Sequence, residues 1–375
     1  MDIIKLFELM VKHDASDLYM TENSEPMYRI EGLTRAAGNK QMTADDVKEL
    51  LYSIMTDKQI AEFEANKEIN LALEYVNLGR FRLNGYIQRG AVAFVVRRIK
   101  SNIETIDDLK LPKILEEISL TKRGLVLVVG GTGSGKSTTL AAMIDHRSKS
   151  QTGHIITIED PIEFIYEHKK SIISQREVGM DTNSYQVALK NALRQAPDVV
   201  LLGEIRDKDT MEQALIFAET GHLCLATLHS NNAYQAIERI MNFFPPVQHK
   251  QIYMQLSLNL RSIISQRLIT GINGGRVAAF EIMTDSPRIK DLIHKGEVTE
   301  LREAIEKSNQ FGMQTFDQSL YSLYKFGLIS LEEGLKNADS ANNLRLRVKL
   351  DDEDATKPKS DKDKKSLKDT SLELA

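Results

Sequence analysis

The stretch Gly130-Gly131-Thr132-Gly133-Ser134-Gly135-Lys136-Ser137 limits what this chain can fold into more than any other feature. Its spacing is G-x-x-x-x-G-K-[ST]. Leu125-Val126-Leu127-Val128-Val129 before it reads as a buried strand, and Ser137-Thr138-Thr139-Leu140-Ala141-Ala142-Met143-Ile144 after it reads as a helix. A strand, a tight glycine loop and a helix in that order make a phosphate cradle. The glycines let backbone N–H groups close on phosphate oxygens, and the helix N-terminus adds positive potential. Lys136 can reach the β- and γ-phosphates of a nucleotide and Ser137 can hold Mg²⁺. Residues Gly130 to Thr138 are therefore the candidate nucleotide-binding residues. A glycine-rich turn that binds nothing would require neither flank.

The 375 residues are 42% hydrophobic and 27% charged, enough to bury a sizeable core, and two domains with an appendage are expected. No apolar run approaches the roughly 18 residues that cross a bilayer, and Met1-Asp2-Ile3-Ile4-Lys5 lacks the pattern of a signal peptide. The expectation is a cytoplasmic protein without membrane insertion. A formal charge of −4 gives no global attraction to nucleic acid or anionic lipid. Cys224, the only cysteine, rules out an intrachain disulfide or a cysteine-based zinc module in these residues.

Residues 1–100 read as a mixed α+β domain. Ile3, Ile4, Phe7, Leu9 and Met10 mark a helix, and Thr43-Ala44-Asp45-Asp46 resembles a capping box opening a second. Ile69 to Tyr75 alternates as a strand, Asn77-Leu78-Gly79 turns, and Arg80 to Asn84 alternates again, with Phe81 and Leu83 inward and Arg80 and Arg82 on the opposite face. A further strand over Ala91 to Val96 ends at Arg97 and Arg98. Pattern alone reads these arginines as a solvated face.

Residues 101–115 form an expected linker, and 116–350 an α/β domain with a parallel sheet covered on both faces. Ile155 to Ile158 is a strand, and Asp160-Pro161 suggests a helix start that places Glu163 in its first turn. Val199 to Leu202 and Leu223 to Leu228 are further strands. A single long helix is expected to carry Ile252, Leu256, Leu260, Ile264 and Leu268 at spacing four. Residues 351–375 read as a disordered charged tail.

Ligands of open α/β sheets bind beyond the carboxyl ends of the strands, so Glu163, Glu204 and His229 are placed to converge on a nucleotide held by Lys136. Glu204 directly after a buried strand suits magnesium, through a water. Glu163 is the candidate to orient or deprotonate an attacking water, with Glu159 as the alternative. His229 either senses the γ-phosphate or is a satisfied structural histidine. Stabilising cations are missing near these motifs, which draws attention to Arg80, Arg82 and Arg97.

With those motifs in hand the chain resembles the secretion and type IV pilus ATPases. Gly130 to Ser137, Thr157-Ile158-Glu159-Asp160-Pro161-Ile162-Glu163-Phe164, Gly203-Glu204-Ile205-Arg206-Asp207 and the pair Thr220-Gly221-His222-Leu223 and Thr227-Leu228-His229-Ser230 look like their Walker A, Asp box, Walker B and His box. Ala15-Ser16-Asp17-Leu18, Gly79-Arg80-Phe81-Arg82 and Gly274-Gly275-Arg276-Val277-Ala278 extend the resemblance to residues 1–335, and it is strongest to the pilus retraction ATPases. Extension and secretion members typically carry an extra N-terminal domain and a four-cysteine zinc module, and neither is expected here. The resemblance implies a PAS-like domain before a RecA-like P-loop ATPase domain, a homo-hexameric ring, and ATP with Mg²⁺ bound at the junction between subunits. It implies Lys136 and Ser137 on phosphate and magnesium, Glu163 as catalytic carboxylate, Glu204 as the Walker B acid, His229 in the His box, and Arg80, Arg82 and Arg97 facing ATP. Implied partners are a principal retraction ATPase and the inner-membrane pilus platform protein, at the cytoplasmic base of the pilus machine. Another ring motor of the superfamily and a nucleotide-binding adaptor of low turnover are the alternatives. Principal retraction motors carry an Ala-Ile-Arg-Asn-Leu-Ile-Arg-Glu signature where this chain has Arg288-Ile289-Lys290-Asp291-Leu292-Ile293-His294-Lys295. The apolar spacing is kept and the polar face is changed, which with the charged tail implies the accessory type.

Overall fold

The computed structural model describes residues 2–30, 32–99 and 102–356. Helix α1 (Ile3–Lys12) is capped by Asp2, whose carboxylate accepts the Ile4 amide at 2.9 Å. Strands β1 (Asp17–Met20), β2 (Met27–Ile30) and β3 (Leu33–Ala36) follow. Helix α2 (Ala44–Tyr52) opens with the Thr43/Asp46 capping box, and α3 (Asp57–Asn66) with a second one, Thr56/Gln59. Then come β4 (Glu68–Tyr75), β5 (Gly79–Gln88), β6 (Ala91–Arg98) and α4 (Ile114–Ser119). Strand β7 (Gly124–Val129) leads through the glycine loop into α5 (Lys136–Ser150), as the flanks of the motif predict. The chain continues with β8 (Gly153–Glu159), β9 (Ser171–Glu177), α6 (Tyr185–Ala192), β10 (Val199–Leu202), α7 (Lys208–Glu219), β11 (Leu223–Leu228), α8 (Ala233–Asn242), α9 (His249–Asn259), β12 (Leu260–Thr270) and β13 (Arg276–Thr284). Among the described residues five helices follow: α10 (Pro287–Lys295), α11 (Leu301–Glu306), α12 (Phe316–Lys325), α13 (Leu331–Asn337) and α14 (Ala341–Thr356).

These elements gather into two compact units, one made of Met1–Arg123 with Ser137–Ala226, the other of Gly124–Lys136 with the chain from Thr227 onward. The first unit contains a six-stranded antiparallel sheet in the order β3-β2-β1-β6-β5-β4. Its inner face buries Leu18, Met20, Phe81, Leu83 and Phe94 against Phe7 and Met10 of α1 and Leu51 of α2, and Phe7 stacks on Phe81 at 4.7 Å. Period two in β5 holds: Phe81 and Leu83 are buried while Arg80, Arg82 and Asn84 share the other face. The same unit contains parallel strands in the order β11-β10-β8-β9, with β10 and β11 buried along their whole length. Such strands lie between covering layers on both sides, which is why they read as unbroken apolar runs.

In the second unit β7 pairs in parallel with β12, and β13 runs antiparallel to β12, so the strands here are mixed rather than all parallel. Helices α12 and α14 close over Ile269 and Ala279 through Phe316, Leu320, Leu344 and Val348. The long helix expected from Ile252 to Leu268 is two elements. Helix α9 stops at Asn259, and Leu260, Ile264 and Leu268 belong to β12. Spacing four is a multiple of two as well as close to one helical turn, and here pairing on both edges of β12 decided for the strand. The expected tail boundary also moves, because α14 continues through Thr356. Residues 357–375 lie outside the described residues.

Candidate functional site

The glycine loop belongs to the second unit. Its two outer glycines are required by contact. A Cβ on Gly130 would stand 2.5 Å from the backbone oxygen of Gln266, and one on Gly135, at φ +89°, 2.8 Å from the Gln266 side-chain amide. Gln266, buried on β12, thus sits directly against the loop at both ends. Lys136 folds back so that its ammonium donates to the carbonyls of Gly130 at 3.0 Å and Gly131 at 2.9 Å. Arg276, from the Gly-Gly-Arg segment, brings a second cation to the loop, with Nη1 3.5 Å from the Gly133 carbonyl. Sequence reasoning matched that segment without giving the arginine a role.

A phosphate chain fits this loop on the structure's own terms. Ser134 Oγ is buried without a hydrogen-bond partner among the described residues, the close approaches leave no room for side chains at two glycines, and the lysine charge lies over the loop. Ser137 follows within α5 and Glu204 follows β10; a hydroxyl and a carboxylate are oxygen donors of the kind a magnesium ion takes.

The acidic candidates belong to the first unit. Strand β8 ends at Glu159 and the chain enters a loop through the cis Asp160–Pro161 bond. This loop corrects the expectation of a helix at Glu163. The local amides are taken by side chains of β9 instead: Ile162 N donates to Glu177 at 3.2 Å and Tyr166 N to the Gln175 carbonyl at 2.8 Å, while the Gln175 amide donates to Phe164 O at 2.8 Å. The arrangement buries Ile162 and leaves Glu163 exposed. Glu159, the alternative, is buried, and burial pushes its carboxyl up to about 7, with the neighbouring Thr157 hydroxyl and Glu163 amide drawing it back. Its Oε1 is buried without a hydrogen-bond partner among the described residues, whereas Glu163 is exposed.

Strand β10 delivers Gly203-Glu204 beside this loop. A Cβ on Gly203 would lie 2.9 Å from the Tyr185 hydroxyl and 3.1 Å from the Glu159 Cα, so the two strand ends meet closely. Arg206 ties them: its Nε donates to Glu204 at 2.8 Å and its Nη1 to Asp160 at 3.2 Å. The Glu204 bond, before its charge, raises the arginine's pKa. That bridge spans 46 residues of sequence and no pattern in the sequence announced it.

Of the three arginines, Arg97 has a visible anchor, its Nε donating to Asp17 at 2.8 Å. Its pKa is raised first by that bond, and the negative charge of Glu163 adds to it. Arg82 stands opposite Arg97 on β5, and Arg80 opposite Glu74 on β4. His222 is held locally, its Nδ1 3.0 Å from Thr220 Oγ1 and its ring edge-on to Phe217, which makes it structural. His229, in the second unit, is half-buried just before α8. Beyond it Glu281 on β13 accepts the Ala233 amide at 2.7 Å and props the start of α8, a role that an acid in the apolar run Ala279 to Met283 could have signalled.

The family described as Type II/IV secretion system protein matches residues 2–315. The chain belongs to that family. Within it the chain is one of the type IV pilus retraction ATPases. It is 51% identical to the type IV pilus ATPase PilU of Pseudomonas aeruginosa over 94% of its own length and 93% of the relative's. It is 43% identical to the retraction ATPase PilT of the same organism, covering 92% of this chain and all of PilT. The crystal structure of the pilus retraction motor PilT with bound ADP superposes with a TM-score of 0.86 at 41% identity, over 92% of this chain and 99% of that one.

Proposed function

We propose that this chain is an ATP-hydrolysing ring motor that powers retraction of a type IV pilus, and that it works as the accessory motor beside a principal retraction ATPase. Lys136 and the loop amides would bind the phosphates, Ser137 and Glu204 would hold Mg²⁺, and Glu163 would orient the attacking water. Magnesium, when bound, neutralises charge developing on the phosphate oxygens. Arginines of the β-sheet in the first unit would complete the site from a neighbouring subunit of a hexamer. The α+β part (1–100) and the ATPase part (116–350) would hinge about residues 101–115, against an inner-membrane platform protein at the cytoplasmic base of the pilus.

The observation that carries the accessory reading is the polar face of α10. Ile289, Leu292 and Ile293 are buried there as the retraction signature requires. Four of the five residues that depart from the signature, all but His294, are in ion pairs within the chain: Arg288 with Glu300 at 2.7 Å, Lys290 with Asp285 at 2.9 Å and Lys295 with Asp291 at 2.8 Å. A Lys at 290 also lacks the two-pronged hydrogen bonding of an arginine. The test is genetic. Expressed in cells lacking the principal retraction motor the protein should give no retraction; expressed where that motor is present but catalytically dead it should restore it. Full retraction in the first strain would overturn the accessory reading and leave the ATPase assignment standing.

A further inference from the structure

The antiparallel registers of the first unit's sheet set four charged residues in one row. Arg29 on β2 is opposite Asp17 on β1, Asp17 is opposite Arg97 on β6, and Arg97 is opposite Arg82 on β5. Directly opposed residues share a face, so the row carries three cations around one acid. That acid is buried. The Asp17 side chain is 3% exposed, whereas the Arg97 side chain is 63% exposed. The Asp17 carboxylate is nonetheless fully engaged, with Oδ1 accepting from Arg97 Nε at 2.8 Å, Oδ2 accepting from Ser16 Oγ at 2.8 Å, and Arg29 Nη1 at 4.0 Å.

A buried carboxylate is a costly way to stabilise a sheet, since its desolvation offsets much of the ion-pair gain. It is an effective way to aim a guanidinium. The bond takes Nε, which leaves the two terminal nitrogens of Arg97 for a second anion. It also removes the rotamer freedom that a surface arginine would otherwise lose on meeting that anion. Arg29 is placed differently, stacking over the Tyr19 ring at 5.2 Å, and Arg82 has no acid across the strand from it.

We propose that Asp17 is a positioning residue for ATP hydrolysis: it holds Arg97 by Nε so that the terminal nitrogens meet the phosphate charge of the nucleotide, and this selects Arg97 rather than Arg80 or Arg82 as the stabilising arginine. The inference rests on the proposed ATPase reading of the arginines, whichever subunit's nucleotide they meet.

The experiment is a double-mutant cycle on the full-length assembled protein, reading kcat and KM for ATP, with a thermal melt of each variant. Arg97→Ala should lower kcat by at least about 100-fold. Asp17→Asn keeps the shape and loses the charge-assisted bond, so kcat should fall roughly 10- to 100-fold with KM changed less than about twofold. In the Arg97→Ala background the same Asp17→Asn change should have no further effect, because the group it aims is gone. An equal loss in both backgrounds, or an Asp17→Asn enzyme at the wild-type rate, would overturn the positioning role. Wild-type kcat for Arg97→Ala would instead refute the reading of Arg97 on which it rests. If Asp17→Asn does not fold, Arg97→Lys carries the test. Its single ammonium is taken by Asp17, so it should be as slow as Arg97→Ala while melting like wild type, and wild-type turnover by Arg97→Lys would overturn the proposal.

Discussion

Replacing Glu281 with Gln should stabilise the protein at pH 8, and by about 2–3 kcal/mol more there than at pH 5. Glu281 is 3% exposed, and its Oε1 accepts the Ala233 amide at 2.7 Å and the Ser265 hydroxyl at 3.3 Å, both of which a glutamine carbonyl can keep. Burial pushes its carboxyl from the ordinary 4.5 up to about 7; the Ala233 bond pulls back, the Asp339 charge pushes further and Arg267 opposes it. For an acid with a raised pKa, the folded state holds the proton more tightly than the unfolded chain does. Stability is therefore greatest below about pH 4.5, falls as pH rises towards 7, and is flat above. The shift from 4.5 to about 7 corresponds to roughly 3 kcal/mol between the two plateaus. Because a glutamine NH₂ must find its own partner, the expected gain at pH 8 is about 1–3 kcal/mol. Glu159 is raised to about 7 by burial as well, so the variant should keep a pH dependence of its own over the same window, about half as steep as wild type. Urea unfolding of the nucleotide-free protein at pH 5 and pH 8 measures all four numbers. A variant less stable than wild type at pH 8 would refute the reasoning, since it would mean that the start of α8 holds an ionised carboxylate rather than straining against one.

The loop glycines should not be equivalent. Gly131→Ala meets nothing within 4 Å and should leave the melting temperature of the nucleotide-free protein near wild type, whereas Gly135→Ala combines φ +89° with the Gln266 amide and should cost at least about 1–2 kcal/mol; equal melting temperatures would sink the close-packing account. Lys136→Ala should lose tight ATP binding in a fluorescent-nucleotide titration, while Glu163→Gln should bind ATP and hydrolyse it at least about 100-fold more slowly. Undiminished turnover by Glu163→Gln would pass the catalytic role to another carboxylate.

What could be read from the sequence was whatever is decided by neighbours in the chain. The strand, glycine loop and helix around Lys136, the Thr43/Asp46 capping box and the alternation of Arg80 to Asn84 are set within a few residues, and all are present. The loop at Glu163 went the other way because the competition there is not local. Asp160 and Pro161 do favour a helix start, but the amides of Ile162 and Tyr166 find Glu177 and Gln175 on β9, a strand the pattern reading did not find. The same cause hid Arg206 and Asp17. An arginine two residues after Glu204 looks like a surface charge until Asp160 arrives from 46 residues away, and Asp17 looks like a turn residue until β6 brings Arg97 from 80 residues away. Strand order supplies Asp160 to the arginine that holds Glu204 in the first case, and Asp17 to Arg97 itself in the second. Motifs thus located the groups expected to touch the nucleotide, while sheet topology brought in Asp160 and Asp17 from far along the chain, so further positioning residues should be sought among cross-strand partners of motif residues as well as among their sequence neighbours.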